Sequence, residues 1–456
     1  MEKPEFSVAG RRVVVVGAAR SGVAAAELLV RKGAHVTLTE RADAFADDER
    51  LRALGVSIET GGHRLETFRD AELVVTSPGV STEQPAFDAA RRGGAEIIGE
   101  VELAWRWLRG PVIAVTGTKG KSTTTTLIGR MLRAAGREVL VGGNIGVPLS
   151  AHVEHSRAET VHVVEVSSFQ LETTTSFRPW IAIWLNLASD HLDRHPSLEA
   201  YAAAKARIFS NQTVDDWLVT NEDDAEVTRQ RSQAHSRSVT FSLKESPCAD
   251  FVVTGGWITR RTQTATERVL PLTAVELAGR HMLNNVLAAV AASDIATVTS
   301  DAMAEALTGF RGLEHVMEPV GEVRGVRFVN DSKATNIEAA ARSIESFESG
   351  VVALIGGRFK GGDFRDLRGP LAMHGRAVVA IGESSRLVRD ALEGVVPVMT
   401  AESMRDAVEK AYAAAAPEGV VLLAPACASF DWFSDYAERG RAFKEAVNRL
   451  RTKVMS

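Results

Sequence analysis

The residues best suited to chemistry lie in the stretch "VTGTKGKSTTTT", which runs from residue 115 to residue 126. A glycine loop that ends in Gly-Lys-Ser or Gly-Lys-Thr binds nucleotide phosphates through its backbone amides. The usual spacing, G-x-x-x-x-G-K-[ST], would require a glycine at position 115. That residue is Val115, and the nearest glycine after it is Gly117. The stretch therefore predicts either a phosphate site with a shortened loop or an ordinary glycine turn.

The segments on either side of this loop favour the phosphate site. Residues 111–115 (PVIAV) form a short apolar run typical of a buried strand, and apolar residues recur at helical spacing over 127–135. A loop between a strand and a helix N-terminus is well placed to bind an anion. There, Lys121 would reach the outer phosphates, and Ser122 or Thr123 would bind Mg²⁺.

Further polar side chains follow predicted strands, which is where ligands bind in open parallel sheets. In the middle of the chain, Glu165 follows one strand, and Asp190, His191 and Asp193 follow the next. Lys205 lies in a short predicted amphipathic helix. In the last third, three stretches each follow a strand: NDSKATN (330–336), GGRFKGGDF (356–364) and PACASFDWF (425–433).

Each of these residues also has a less specific interpretation. Asp190 or Asp331 would serve as a helix N-cap, His191 as a surface group, Lys205 as a solvated lysine, and Cys427 as a small packing residue. Their joint placement at strand ends favours a functional site.

The alternation of strands and helices predicts an α/β fold with three domains. We expect a Rossmann-like N-terminal domain over residues 1–99 and a central P-loop ATPase-type domain with a mostly parallel sheet over 100–312. A Rossmann-like C-terminal domain would follow over 313–456. The chain length of 456 residues fits about three domains.

The first domain opens with a strand at 13–16, a helix from about Ser21 and a second strand at 36–39. Its glycines read G-x-A-x-x-G, with Ala19 where a dinucleotide fingerprint has its second glycine. Glu40 follows the second strand, where an acidic residue would bind a ribose diol. An NAD site therefore remains an alternative.

Composition excludes several other classes. The net charge of −5 gives no global basic field for nucleic acid. No apolar run approaches the roughly 18 residues that span a bilayer, so we expect no membrane insertion. Cys248 and Cys427 are far apart and form no metal-ligand cluster. We expect a cytoplasmic protein without structural disulfides.

Six stretches occur in one order along the chain: "TGTKGKST", "EVSSFQLE", "DHLDRHP", "NDSKATN", "GGRFKGGDF" and "PACASFD". In these stretches the chain resembles the Mur ligases, and within them the branch that adds D-glutamate. The resemblance covers essentially the whole sequence. It implies an enzyme that uses ATP to activate the carboxylate of UDP-MurNAc-L-Ala as an acyl phosphate, which D-glutamate then attacks. It also implies two Mg²⁺ ions and a monomer.

The resemblance assigns roles residue by residue. The catalytic set would be Lys121, Glu165, His191 and Lys205, with Lys205 carrying a carbamate. The metal ligands would be Ser122, Glu165, His191 and the Lys205 carbamate. ATP would be bound by Gly117, Thr118, Lys119, Gly120, Lys121, Ser122, Thr123, Asn285 and Asp331. The UDP substrate would contact Ser21, Gly22, Glu40, Arg41, Pro78, Gly79, Asn144 and His191. D-glutamate would contact Lys333, Thr335, Lys360, Ser429 and Phe430.

Two positions depart from the family pattern. Met282 replaces the first asparagine of a motif whose second asparagine is Asn285, and Val316 replaces an arginine expected near the ATP phosphates. Both departures concern adenine-nucleotide binding. The missing arginine at Val316 predicts weaker ATP binding, unless another cation, Arg311 or Arg324, compensates.

Three alternatives remain open from the sequence. One is another Mur-type or folylpolyglutamate-type ligase. The second is an NAD-dependent oxidoreductase built on the first domain, and the third is a nucleotide-binding relative that has lost catalysis.

Overall fold

Three β-sheets form the framework of the chain. The computed structural model describes residues 6–188, 194–244, 246–262, 264–275, 280–310, 312–359 and 361–455. The chain folds into two compact units, residues 1–310 and 311–456. The first two sheets belong to the first unit and the third sheet belongs to the second unit.

The first sheet is entirely parallel, with the strand order β3-β2-β1-β4-β5. Its strands are β1 (Arg12–Val16), β2 (His35–Thr39), β3 (Ser57–Glu59), β4 (Leu73–Thr76) and β5 (Glu96–Gly99). The helices between and after them are α1 (Arg20–Arg31), α2 (Asp48–Ala53), α3 (Leu65–Arg69), α4 (Pro85–Arg92) and α5 (Glu100–Trp105). The central strands β1 and β4 are runs of valine, leucine and threonine, as expected for parallel strands that are buried on both faces.

The second sheet has the order β14-β13-β12-β11-β10-β9-β6-β8-β7. The strands are β6 (Val112–Thr116), β7 (Val139–Gly143), β8 (Val161–Glu165), β9 (Ile181–Trp184), β10 (Trp217–Asn221), β11 (Arg237–Ser242), β12 (Phe251–Thr254), β13 (Trp257–Arg261) and β14 (Thr266–Pro271). The helices are α6 (Lys121–Ala134), α7 (Ser168–Glu172), α8 (Leu198–Ala206), α9 (Ala225–Arg231), α10 (Arg280–Ile295) and α11 (Ser300–Leu307). Pairing is parallel from β7 to β12 and antiparallel at β13 and β14.

The third sheet has the order β15-β16-β20-β17-β18-β19. The strands are β15 (Glu318–Val323), β16 (Val326–Asn330), β17 (Val351–Gly356), β18 (Gly375–Ile381), β19 (Val398–Thr400) and β20 (Gly419–Leu423). The helices are α12 (Ile337–Glu345), α13 (Arg368–His374), α14 (Ser385–Leu392), α15 (Met404–Ala415) and α16 (Tyr436–Met455). Only the edge strand β15 pairs antiparallel among the described strands of this sheet.

This architecture confirms the predicted α/β class with mostly parallel sheets. The strands predicted at 13–16, 36–39 and 111–115 occur as β1, β2 and β6. The edge strand β15 (EPVGEV) was not predicted because it contains a proline and a glycine, and β19 was not predicted because it has only three residues. No helix in the described ranges is long and apolar enough to cross a membrane.

Helix α5 follows the first sheet directly and bears two buried carboxylates. Glu102 accepts hydrogen bonds from the backbone amides of residues 175–177 and from the hydroxyls of Thr175 and Ser176. Although its burial opposes ionisation, these bonds hold the pKa of Glu102 below its ordinary value. Glu100 has fewer donors: its Oε1 accepts from the Ser150 amide at 2.5 Å. Burial therefore raises the pKa of Glu100 to about 7.

The Glu100 side chain gives the first unit a pH-dependent stability. Its pKa is higher in the folded chain than in the unfolded chain, so its contribution to stability is present below about pH 4.5 and is lost as the pH rises through about 7. The shift corresponds to about 3 kcal/mol between pH 4 and pH 8. We expect Glu100→Gln to remove this part of the pH dependence of the unfolding free energy.

Denaturant unfolding at several pH values measures the effect, with Glu49→Gln on exposed α2 as the matched control. If Glu100→Gln and the wild type keep parallel stability curves up to pH 8, the raised pKa is wrong.

Candidate active site

The predicted phosphate loop lies between β6 and α6, as the sequence pattern indicates. All five residues of β6 are buried, and α6 begins at Lys121. Gly120 caps the helix in a left-handed conformation, with φ of +84°. A Cβ atom at this position would lie 2.1 Å from Oδ1 of Asn285, so only glycine fits between the loop and α10.

Two lysines direct their ammonium groups at carbonyl oxygens of this loop. Nζ of Lys121 donates to the carbonyls of Gly117 at 2.9 Å and Thr118 at 3.0 Å. Nζ of Lys205, from α8, donates to the Gly117 carbonyl at 2.9 Å and lies 4.4 Å from the centre of the Tyr201 ring. Lys205 is only 1% exposed, so its interpretation as a solvated lysine is wrong.

Glu165 connects the phosphate loop to the loop that follows β7. Its Oε2 accepts a hydrogen bond from the hydroxyl of Ser122 at 2.6 Å, and its Oε1 accepts one from the side-chain amide (Nδ2) of Asn144 at 2.8 Å. Glu165 is the last residue of β8, the neighbour of β6 in the sheet, and it is buried. This adjacency of strand ends brings Ser122, Asn144 and Glu165 together.

These groups fit a magnesium ion at a phosphate. Mg²⁺ prefers oxygen ligands and is commonly held by one or two carboxylates together with substrate phosphates. Ser122 and Glu165 supply a hydroxyl and a carboxylate next to the phosphate loop. In the described residues, no group of three or more His, Cys, Asp or Glu side chains is arranged to hold a metal. His191, Asp190 and Asp193 lie outside those residues.

Asn186, after β9, fixes the shape of the phosphate loop. Its Oδ1 accepts from the amides of Thr118 at 3.0 Å and Lys119 at 2.8 Å, and its Nδ2 donates to the Lys119 carbonyl at 3.1 Å. The predicted strand over 181–187 includes Asn186, whereas β9 ends at Trp184. This role of Asn186 was not predicted, because an asparagine near a strand end has many possible uses.

A cleft of about 300 Å³ lies beside the loops of the first two sheets. It is lined by five of the residues predicted to contact the UDP substrate: Ser21, Glu40, Pro78, Gly79 and Asn144. Arg20, Ser77 and Gln170 also line it and were not predicted. Arg20 donates to the carbonyl of Gly146 at 3.0 Å, which joins the start of α1 to the loop after β7.

The other predicted contacts of this substrate do not line the cleft or lie outside the described residues. Gly22 lies behind the loop after β1, where a Cβ atom would come within 1.8 Å of the Gly17 carbonyl. Arg41 is exposed next to Glu40, and His191 is outside the described residues. Glu40 accepts from the amides of Ala18 and Ala42. Burial opposes its ionisation, yet these backbone bonds keep the pKa of Glu40 below its ordinary value.

The remaining ATP-binding predictions in the first unit are close to the loop. Thr118 and Thr123 are buried, and Lys119 is exposed. Asn285 is buried beside Gly120, and its Nδ2 lies 3.8 Å from the sulfur of Met282. Met282, which departs from the family pattern, therefore contacts Asn285, which matches the pattern.

In the second unit, the three motif stretches follow adjacent strands. The sheet order β16-β20-β17 places the ends of these strands side by side. The amide of Ala426 donates to the Ala334 carbonyl at 2.9 Å, and Arg358 and Ala428 exchange backbone hydrogen bonds. The three loops therefore form one connected surface at this edge of the sheet.

The residues predicted to contact D-glutamate lie in these loops. Lys333 and Thr335 are half-buried after β16, and Ser429 is buried after β20. Phe430 is 59% exposed, and Lys360 lies outside the described residues.

Asp331 is buried in the same loop, and its carboxylate accepts from the Met317 amide at 3.2 Å and from the hydroxyl of Ser343. Burial raises the pKa of Asp331 above its ordinary value. Its interpretation as a helix N-cap is wrong, because Asn336 caps α12.

The segment that contains Val316 precedes β15. His315 is buried with a positive φ of 65°, and Asn330 Nδ2 lies 2.9 Å from its Nδ1. Arg324, one predicted substitute for the missing arginine, donates to the Val454 carbonyl at 2.7 Å. The other, Arg311, lies outside the described residues.

Comparison with protein families gives three matches along the chain. Residues 11–99 match the Mur ligase MurD-like N-terminal domain, residues 115–293 the Mur ligase middle domain, and residues 317–427 the Mur ligase glutamate ligase domain. The chain belongs to the Mur ligase family. Its three-domain α/β fold is that of the Mur ligases.

Named relatives match over nearly the whole chain. The UDP-N-acetylmuramoylalanine–D-glutamate ligase of Acidobacterium capsulatum is 47% identical over 443 residues, with 96% of each chain covered. The enzyme of the same name from Pelotomaculum thermopropionicum is 42% identical, with 97% of this chain and 98% of the relative covered.

A solved Mur ligase has a similar fold at low sequence identity. It is the UDP-N-acetylmuramate–alanine ligase of Thermotoga maritima, with a TM-score of 0.57 and 20% identity, covering 97% of this chain and all of the other chain.

The bonds of Asn186 predict that its side chain sets nucleotide affinity. We expect Asn186→Ala to weaken binding of an ATP analogue by about tenfold, equivalent to about 1.4 kcal/mol, because three hydrogen bonds that shape the loop are lost. Asn448→Ala, at an exposed position of α16, is the control and should bind the analogue as the wild type does. Titration calorimetry measures both variants, and wild-type affinity in Asn186→Ala would contradict the role.

Proposed function

We propose that this chain is an ATP-dependent, ADP-forming ligase that joins D-glutamate to UDP-N-acetylmuramoyl-L-alanine in the synthesis of peptidoglycan precursors. Relatives that carry this name are 40–47% identical over 96–98% of the chain. The observation that carries the chemistry is the hydrogen-bonded connection from Asn144 in the cleft, through Glu165, to Ser122 in the phosphate loop.

This connection supports activation of a carboxylate next to ATP. A ligand that fills the cleft and reaches Asn144 would have its end close to Ser122. A carboxylate oxygen of the substrate attacks the terminal phosphorus of ATP, ADP leaves, and an acyl phosphate forms. The neutral amine of D-glutamate then attacks the carbonyl carbon, the C–O bond to phosphate breaks, and phosphate leaves.

The chain's own residues would position these groups and balance their charge. We assign Lys121 and the amides of the phosphate loop to the phosphates of ATP, because phosphoryl transfer depends mainly on positioning and neutralisation of oxygen charge. Bound Mg²⁺ would supply further neutralisation, and Ser122 and Glu165 are its proposed ligands. Ser21, Glu40, Pro78, Gly79 and Asn144 are assigned to the UDP substrate.

In the second unit, Lys333, Thr335 and Ser429 are assigned to D-glutamate. A dicarboxylate needs cations and hydroxyl donors, and the adjacent loops supply both. We keep the boundaries 1–99, 100–312 and 313–456 as proposals for the UDP-substrate, ATP and D-glutamate domains. We also propose that the enzyme works as a monomer in the cytoplasm, and its mass in solution tests the oligomeric state.

We further propose that Lys205 carries a carbamate. Only a neutral lysine amine adds CO₂, and the resulting anion would need a cation to stabilise it. Lys205 is buried, and its Nζ donates to the Gly117 carbonyl of the phosphate loop, the loop that also carries Lys121 and Ser122.

The assay that tests the function is phosphate release from ATP. We expect release to require both UDP-MurNAc-L-Ala and D-glutamate, with L-glutamate as the matched control that gives little release. In Lys121→Ala we expect kcat to fall by at least about 100-fold with the fold intact, since such groups contribute several kcal/mol. Arg133→Ala, at an exposed position near the end of α6, is the control. Release that does not depend on D-glutamate would refute the proposal.

The carbamate has its own test. We expect enzyme equilibrated with ¹³C-bicarbonate to show a carbamate carbon signal by NMR that is absent from Lys205→Ala. The variant should be nearly inactive, with partial rescue by formate or acetate. An active wild-type enzyme without the signal would rule the carbamate out.

A further inference from the structure

Arg439 is a charged side chain buried inside the second unit. It lies in α16 and is only 1% exposed. Burial lowers its pKa to about 10, so the guanidinium remains protonated at neutral pH. A buried charge is tolerated only when its hydrogen-bonding groups are satisfied, so its partners indicate what it does.

The partners of Arg439 lie in two separate loops. Its Nε donates to Oγ of Ser332 at 2.9 Å, and one terminal nitrogen donates to the Ser332 carbonyl at 2.8 Å. The other terminal nitrogen donates to the Cys427 carbonyl at 3.0 Å. One planar group thus joins the loop after β16 to the loop after β20.

The position of Arg439 is itself fixed by close packing of α16. A Cβ atom on the next residue, Gly440, would lie 2.1 Å from Nδ1 of His315. The hydroxyl of Ser332 also donates to the Tyr436 carbonyl at 2.7 Å, which joins the same loop to the start of the helix. The backbone of α16 around Arg439 is therefore held against His315 and against the loop after β16.

The joined loops bear the groups assigned to D-glutamate. Lys333 directly follows Ser332, and Ser429 is two residues after Cys427. A ligand with two carboxylates needs its donors at a fixed separation, because small displacements weaken several charge-assisted bonds at once.

We propose that Arg439 is a positioning residue that sets the separation of the two loops that bind D-glutamate. It acts through Ser332 and Cys427 and does not touch the ligand. This inference rests on the proposed function, since it concerns the amino-acid substrate of the same site.

Arg439→Lys tests the proposal, because lysine keeps the charge but loses the planar fork of donors. We expect KM for D-glutamate to rise by about tenfold or more, with KM for ATP and for UDP-MurNAc-L-Ala within about twofold. Arg441→Lys, exposed on the same helix, is the matched control and should leave all three values unchanged. An unchanged KM for D-glutamate in Arg439→Lys would overturn the proposal.

Hydrogen exchange of backbone amides provides a readout that does not depend on activity. We expect faster exchange at residues 331–336 and 426–429 in Arg439→Lys, and the same change, smaller, in Ser332→Ala. If Arg439→Lys does not fold, Ser332→Ala decides: unchanged exchange at 426–429 overturns the proposal. Absence of D-glutamate-dependent turnover in the wild type would refute the proposed function, while the exchange data would still test the joining of the loops.

Discussion

The buried carboxylate of Glu165 is the constraint on which the first unit's site depends. A buried carboxylate must be hydrogen-bonded, and its two oxygens meet this need with donors from two different loops. One donor, Ser122, belongs to the phosphate loop, and the other, Asn144, lines the cleft. The phosphate loop and the cleft are therefore held in one fixed relation by a single side chain at the end of β8.

The strand–loop–helix unit around the phosphate loop was predictable from the sequence. The apolar run at 111–115 and the helical spacing after it are local sequence patterns, and such patterns predict secondary structure without knowledge of distant contacts. The position of Glu165 at a strand end was predictable for the same reason. The bond between Glu165 and Asn144 was not, because it depends on β7 lying next to β8, and strand order is not a local property.

Which side chains are buried was a second property that the sequence did not reveal. Lys205 had two interpretations. The prediction that its helix is amphipathic was wrong, because α8 has little contrast between an apolar and a polar face, so the sequence could not choose between the two. Lys205 is buried because α8 packs against the phosphate loop, which is a tertiary contact. The burial of Arg439 could not be predicted from the sequence, since an arginine in a polar helix is normally solvated. Its partners, Ser332 and Cys427, lie in two loops outside its helix, the first about 100 residues earlier in the chain. The edge strand β15 was missed because Pro319 and Gly321 interrupt its pattern, and β19 because three residues carry too little pattern.

The position of β20 in the third sheet has a consequence for how the protein is made. Among the described strands of this sheet, β20 comes last along the chain, yet it lies between β16 and β17, which leave the ribosome much earlier. The centre of the sheet cannot close until β20 has been synthesised, and such long-range pairing forms slowly. During synthesis, the facing edges of β16 and β17 lack their partner, and unpaired strand edges favour aggregation. Closure of the third sheet therefore depends on a strand that is made well after both of its neighbours, whereas the all-parallel first sheet is complete by Gly99.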